Sequence, residues 1–293
     1  GTAAAAAAAG GVKISKEVAY YELDLGLNHV IRRWATPVPD TASRLIALPG
    51  GADGPGGVLV AAANGLAYVH ESAENSIQCV LPRRKGAGKS VLLTQLTVHK
   101  QKRSKFFVLG QTELGDVYKI TVQVADNKVT GLAAAVLDTL PPANALHVNK
   151  LGLLFCAAEF GPHSLYQFER IDIPDAPTNT SEQAKADEAD WLASEKAIQV
   201  AAPFEASPRL QNLRKIVSLD NPSPTTGVLV GELAGNETSP QVYTLTGRGP
   251  CSALRILRHG AAVTELAVSE LPGVPGGIFT VTSADSKLDQ YIV

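Results

Sequence analysis

The sequence contains no methionine, only three cysteines and few aromatic residues, and it carries no excess of either charge. Each shortage excludes something. Cys79, Cys156 and Cys251 stand far apart in the chain, so there is no C-x-x-C pair and no metal-ligand spacing, and a reducing compartment fits best. A formal net charge of -2 provides no global basic field of the kind that sequence-independent nucleic-acid binding requires, so any such binding must be local. No apolar run approaches the roughly 18 residues of a membrane span, and no secretion signal opens the chain. Neither membrane nor cofactor is expected. With Gly1 first and the apolar Tyr291, Ile292 and Val293 last, the lack of methionine is expected of a piece of a longer chain.

What is present is ample for a core. The chain has 293 residues, 45% of them hydrophobic and 18% charged, which suggests one or two domains. Residues 1–17, with the tract Ala3 to Ala9, form a low-complexity linker. From Val18 onward, short β-rich runs alternate with turn residues, too closely spaced for helical crossovers, which predicts an antiparallel all-β fold. The clearest hairpin joins Lys105–Leu109 to Asp116–Val122, where apolar residues fall at alternate positions and one face is buried. Propeller, sandwich and barrel all satisfy this pattern.

Residues 172–207 break the pattern with a Pro-rich start and a stretch, Ser181 to Ala197, dominated by Ala, Glu, Asp and Lys. This reads as an acidic insert, solvated or disordered, with a short helix for which Thr180 and Gln183 offer a capping box. In a sharper reading Trp191 and Leu192 anchor it on a partner.

No motif carries catalysis. Gly86-Ala87-Gly88-Lys89-Ser90 resembles the end of a phosphate-binding loop, but Arg83 stands where its first glycine belongs and no helix pattern follows. A basic surface loop with Arg83, Arg84, Lys85 and Lys89 fits better. Six histidines are scattered without H-E-x-x-H, and there is no G-x-S-x-G elbow. The densest positive tract is Lys100, Lys102, Arg103 and Lys105, either a solvated shoulder or a dock for an acidic partner or RNA backbone.

Five stretches, in order, resemble the splicing factor 3b subunit 3 family (yeast Rse-type proteins). They are Y-Y-E-L-D-L-G-L-N-H-V at Tyr20–Val30, P-G-G-A-D-G-P-G-G-V-L-V at Pro49–Val60, F-F-V-L-G-Q-T-E-L-G-D-V-Y-K-I-T at Phe106–Thr121, A-E-F-G-P-H-S-L-Y-Q at Ala158–Gln167, and the segment from Gly247 through Arg258-His259-Gly260 to Gly273. The resemblance implies a WD40-like, seven-bladed β-propeller, present in part. Residues 18–260 would be later blades of the first propeller, with the insert at 172–207, and 261–293 would begin the crossing into the second.

The same resemblance implies a non-enzymatic scaffold of the splicing factor 3b complex in the U2 snRNP, and hence a nuclear location. Its partners would be the large HEAT-repeat subunit and the small subunits, with any RNA contact indirect. The alternative is an adaptor of a damaged-DNA-binding, ubiquitin-ligase or cleavage-polyadenylation complex, which shares the architecture. Candidate partner-binding residues are Arg248, Arg255, Arg258, Lys100, Lys102, Arg103 and Trp191. Gly247, Gly249 and Pro250 mark a tight turn. Strand alternation then pairs Leu254 with Ile256 and Arg255 with Leu257, so the strand is expected to be covered at least partly on both sides. Arg255 is expected to be paired there, and Arg248 free to meet a partner.

Overall fold

The computed structural model describes residues 15–71, 76–88, 90–101, 105–183, 192, 194–232, 240–249, 252–258, 260, 268, 270, 273–274, 276–285 and 288–292. The chain divides into two compact units, Gly1–Val228 with Thr244–Arg255, and Leu229–Tyr243 with Ile256–Val293.

The first unit holds three successive antiparallel sheets. The first has β3 (Arg44–Ala47), β4 (Val58–Ala62), β5 (Gly65–Val69) and β6 (Ile77–Val80) side by side in chain order. The second has β8 (Leu93–Lys100), β9 (Phe106–Thr112), β10 (Asp116–Ala125) and β11 (Lys128–Thr139), and the third β12 (Ala143–Val148), β13 (Leu153–Ala158), β14 (His163–Phe168) and β17 (Leu213–Leu219). Local chemistry sets the hairpins. Asp126 and Asn127 both take positive φ, 50° and 58°, between β10 and β11, the geometry that lets a two-residue turn follow the strand twist.

Consecutive residues of β9 show how the sheets stack. Val108 packs into a cluster with Leu59, Leu66 and Tyr68 of the first sheet. Its neighbours Phe107 and Leu109 pack into another, with Leu146, Leu154 and Tyr166 of the third. The middle sheet is therefore apolar on both faces and sandwiched between its neighbours. The first strands of the three sheets also adjoin, with β8 against both β3 and β12. Sheets stacked face to face with their first strands together are the blades of a propeller.

In its described parts the insert packs against the blades. It leaves the third blade after β14 and lays β15 (Thr178–Thr180) antiparallel on β11 as a fifth strand of the second. Leu192 is then fully buried beside Ala62 and Val80 of the first blade. Glycine makes that room, since a Cβ on Gly65 would lie 2.4 Å from Leu192 Cδ2 and 2.5 Å from the Cys79 carbonyl. The short helix α1 (Glu195–Val200) is capped by Ser194, whose hydroxyl accepts from the Ala197 amide at 3.2 Å. At the capping box read at Thr180 the chain is a strand followed by a 3-10 turn, Ser181–Gln183, and the helix expected to follow it falls on residues 184–191, outside the described residues.

On its way back the insert adds β16 (Pro203–Phe204) parallel to β7 (Arg83–Arg84). Buried side chains hold both ends. Asn179 donates to the Val200 carbonyl at 3.0 Å and accepts from the Ala202 amide at 2.8 Å. Asp138 of β11 accepts from the amides of Gln211, Asn212 and Leu213 at 2.9, 2.9 and 2.8 Å. The insert is a strap across two blades, and Leu192 anchors it on its own chain rather than on a partner.

A hairpin of β1 (Lys16–Asp24) and β2 (His29–Val38) roots on the first blade through Val18, Val38, Val60 and Val69. After the third blade come β18 (Thr225–Gly231), β19 (Gln241–Thr246) and β20 (Ala253–Leu257) in one sheet, through which the division between units runs. The expectation for β20 is corrected here, because Leu254, Ile256 and Leu257 are exposed on both faces. Alternation fixes which residues share a face, not whether a layer covers it. In the second unit β21 (Thr280–Thr282) and β22 (Asp289–Ile292) form a hairpin, closed by the Thr280 hydroxyl on Asp289 Oδ2 at 2.7 Å. Among the described residues, no helix is long and apolar enough to cross a membrane.

Burial of Leu192 yields a stability prediction. Leu192→Ala should lower unfolding free energy by about 2–5 kcal/mol in urea titrations. Leu151→Ala, at an exposed turn, should stay within about 0.5 kcal/mol. A strap that contributed nothing would make the two variants alike.

Candidate functional site

The glycine-rich loop after β7 is filled from within. Arg83 reaches back to donate to the carbonyls of Ala87, at 3.3 Å, and Gly88, and also to Asn64 Oδ1 at 3.2 Å. A phosphate cradle turns amide N–H groups toward its anion, whereas this loop turns carbonyls toward a cation. Lys89 lies outside the described residues. Arg84 is equally committed, its Nε 2.9 Å from Asp116 Oδ2 and its Nη2 on Oδ1 of the same buried carboxylate. Thr139 adds a hydroxyl to that carboxylate at 2.8 Å. Of the expected basic surface loop, Arg83 and Arg84 are thus structural. Lys85 is at the surface, paired with Glu205 at 2.8 Å, and this hydrogen bond holds the Glu205 carboxyl below its ordinary range.

Two of the sequence candidates come together at one end of the third blade. The Arg248 guanidinium lies 6.0 Å over the ring of Phe160, in the β13–β14 turn. Arg255 Nη1 stands 3.8 Å from Asp220 Oδ2, just past β17. The Asn221 amide joins the two places, donating to the carbonyls of Ala158 at 3.4 Å and Gly161 at 3.2 Å. Arg255 is paired as expected. Arg248 is not free, since an exposed aromatic ring already accepts its cation.

The other candidates are dispersed. Arg258 is exposed in the second unit. Lys100 ends β8 and pairs with Asp53 at 2.9 Å, both side chains well exposed. Lys102, Arg103 and Trp191 lie outside the described residues.

Two histidines and the two buried cysteines are held in packing roles. His99 sits 5.2 Å from the Phe107 ring and His163 5.9 Å from Phe155. Burial pushes the Cys79 thiol up to about 12 and the Cys156 thiol up to about 11. Among the described residues no group of His, Cys, Asp and Glu side chains could hold a metal ion. Sequence reasoning missed the buried polar residues, Gln111 among them. Its side chain donates to the Pro141 carbonyl at 2.9 Å and accepts from the Ala143 amide at 3.0 Å, tying the second blade to the third. A polar residue inside a strand is the only signal that could have revealed it.

Comparison with known proteins places this architecture. The sequence model of the family described as the RSE1/DDB1/CPSF1 first beta-propeller matches residues 7–217. The chain belongs to that family. Spliceosome-associated protein 130 A of Arabidopsis thaliana is 43% identical over 282 residues, 95% of this chain and 22% of that protein. Splicing factor 3B subunit 3 of Drosophila melanogaster is 40% identical over 288 residues, 96% of this chain and 22% of that protein. Pre-mRNA-splicing factor RSE1 of Pyricularia oryzae is 38% identical over 292 residues, 94% of this chain and 23% of that protein. The chain spans about a fifth of the length of these relatives. Residues 218–293 lie beyond the family match.

The site makes two predictions. Adding ATP and magnesium should produce no saturable binding, and Lys89→Ala should change nothing in the same titration. The described thiols should resist modification. At pH 8 the thiolate fraction is about one in ten thousand for Cys79 and about one in a thousand for Cys156, given their raised values. Iodoacetamide labelling followed by peptide mapping should therefore find both unmodified until denaturant is added.

Proposed function

We propose that the chain is part of a non-enzymatic scaffold subunit of the splicing factor 3b complex, acting in the nucleus within the U2 snRNP during pre-mRNA splicing. The observation that carries this reading is identity of 38–43% across nearly the whole chain to proteins named for splicing. The structure supports it through what its side chains are used for. Arg83, Arg84, Asp116 and Asp138 are spent on holding strands and turns together, while apolar side chains such as Ile216, Val217 and Leu219 stay exposed. Residues 18–260 act as blades of the first propeller, and the segment from 261 leads toward further propeller structure.

Contact with other subunits falls to the exposed cations. Arg248 and Arg255, brought together on the third blade, are the centre of the surface, with Arg258, Lys100, Lys102, Arg103 and Trp191 contributing elsewhere. The sister reading, an adaptor of a damaged-DNA-binding or cleavage-polyadenylation complex, predicts a different set of captured proteins.

Affinity purification of the full-length protein decides between them, with branch-site ribonucleoprotein subunits expected in the eluate. A cullin or cleavage-factor subunits in their place would refute the splicing reading. Within the expected outcome, Arg248→Glu should weaken capture with a shift in melting temperature within about 2 °C, since it loses only a surface cation–π contact. Arg255→Glu should lower both capture and melting temperature, because it places like charge against Asp220.

A further inference from the structure

The outer edges of the three blades are treated differently. The strap covers β11 with an added strand and lays Leu192 beside β6. Nothing covers β17. It ends its sheet, and among the described residues no backbone group of 214–219 pairs with anything except β14. It is also apolar at the surface, with Ile216, Val217 and Leu219 exposed to 45%, 41% and 48%. A seven-residue edge of this kind is a template for another strand.

Charge says what kind. Arg209, Arg214 and Lys215 are exposed at the start of β17. Arg170 joins them, because its amide donates to the Asn212 carbonyl at 3.1 Å, two positions before Arg214. Among the described residues only Arg214 of these four forms an ion pair, with Glu169 at 3.5 Å. We propose that the open edge of β17 docks an extended, acidic segment of a partner protein by strand addition.

Three further observations support it. The chain already uses this chemistry on itself, since β15 adds antiparallel to the outer strand of the neighbouring blade. The register of β17 on β14 shifts at Ile216, and a bulge in an edge strand works against flat pairing with a second copy of the same edge. The apolar residues argue for a peptide over an RNA backbone, because strand addition gives affinity through main-chain hydrogen bonds and specificity through alternate side chains. The proposal stands apart from the scaffold reading, since it concerns one strand edge and not which complex is captured.

The test uses the full-length protein and a fluorescein-labelled heptapeptide of alternating glutamate and valine, with an alternating lysine and valine peptide as control. Anisotropy should show saturable binding of the glutamate peptide only, and hydrogen exchange should show amides of 214–219 protected by it. The double variant Arg209→Glu/Lys215→Glu should weaken binding at least tenfold, and Val217→Thr should weaken it with the charges intact. Both substitutions are at exposed positions, so melting temperature should hold. Absence of binding, equal binding of the lysine peptide, or binding without protection of 214–219 would overturn the proposal. Protection of the same amides by poly(U) that displaces the peptide would make the edge an RNA surface. Protection that grows with protein concentration alone would make it a contact between copies.

Discussion

Everything in the first unit depends on sheets that are apolar on both faces. A strand with one buried face can end a structure; one whose successive side chains are both buried demands a layer on each side. Val108 turned toward the first blade and Phe107 and Leu109 toward the third impose that demand on the middle blade, and here it is met by sheets stacked like pages rather than by helices. Close packing between pages leaves little tolerance for unpaired polar atoms, and two of the buried side chains that join separate elements are met by several partners each. Asp138 with three amides and Gln111 bridging two blades add direction to a packing that apolar contact alone would leave free to slide.

This division of labour gives several chemistry-bearing residues structural work. Carboxylates and guanidiniums are individually expensive to bury, and here each buried one answers a structural deficit. Asp116 draws Arg84 and Thr139 into the joint beside the strap's return, and Arg83 satisfies carbonyls of a turn that would otherwise face inward unpaired. The surface keeps strand edge, exposed apolar side chains and charges of both signs, the vocabulary of protein contact.

How much of this could be read from sequence follows the range of the interactions involved. Hairpins were legible because their signals are local, as in Asp116–Val122 with alternate apolar residues. The propeller was legible only through resemblance to a family, since short antiparallel strands fit several closed folds equally. The pairing of Arg255 was legible in kind, but Phe160 under Arg248 comes from a turn nearly ninety positions away and leaves no trace beside either residue. The strap was misread for the same reason. Its composition is that of a solvated loop, and what buries Leu192 is the missing side chain of Gly65 and the small one of Ala62, far off in another blade.

The place where the strap is inserted governs how the chain can come apart. Because it departs after the third strand of one blade and returns as the fourth, having visited the two blades before it, that blade cannot acquire its outer strand independently of its predecessors. A propeller built of self-contained blades could fray one page at a time, much as a repeat array melts from an end. Here a stitch made across three pages binds them into a single gathering, and opening the last blade means pulling thread from the first.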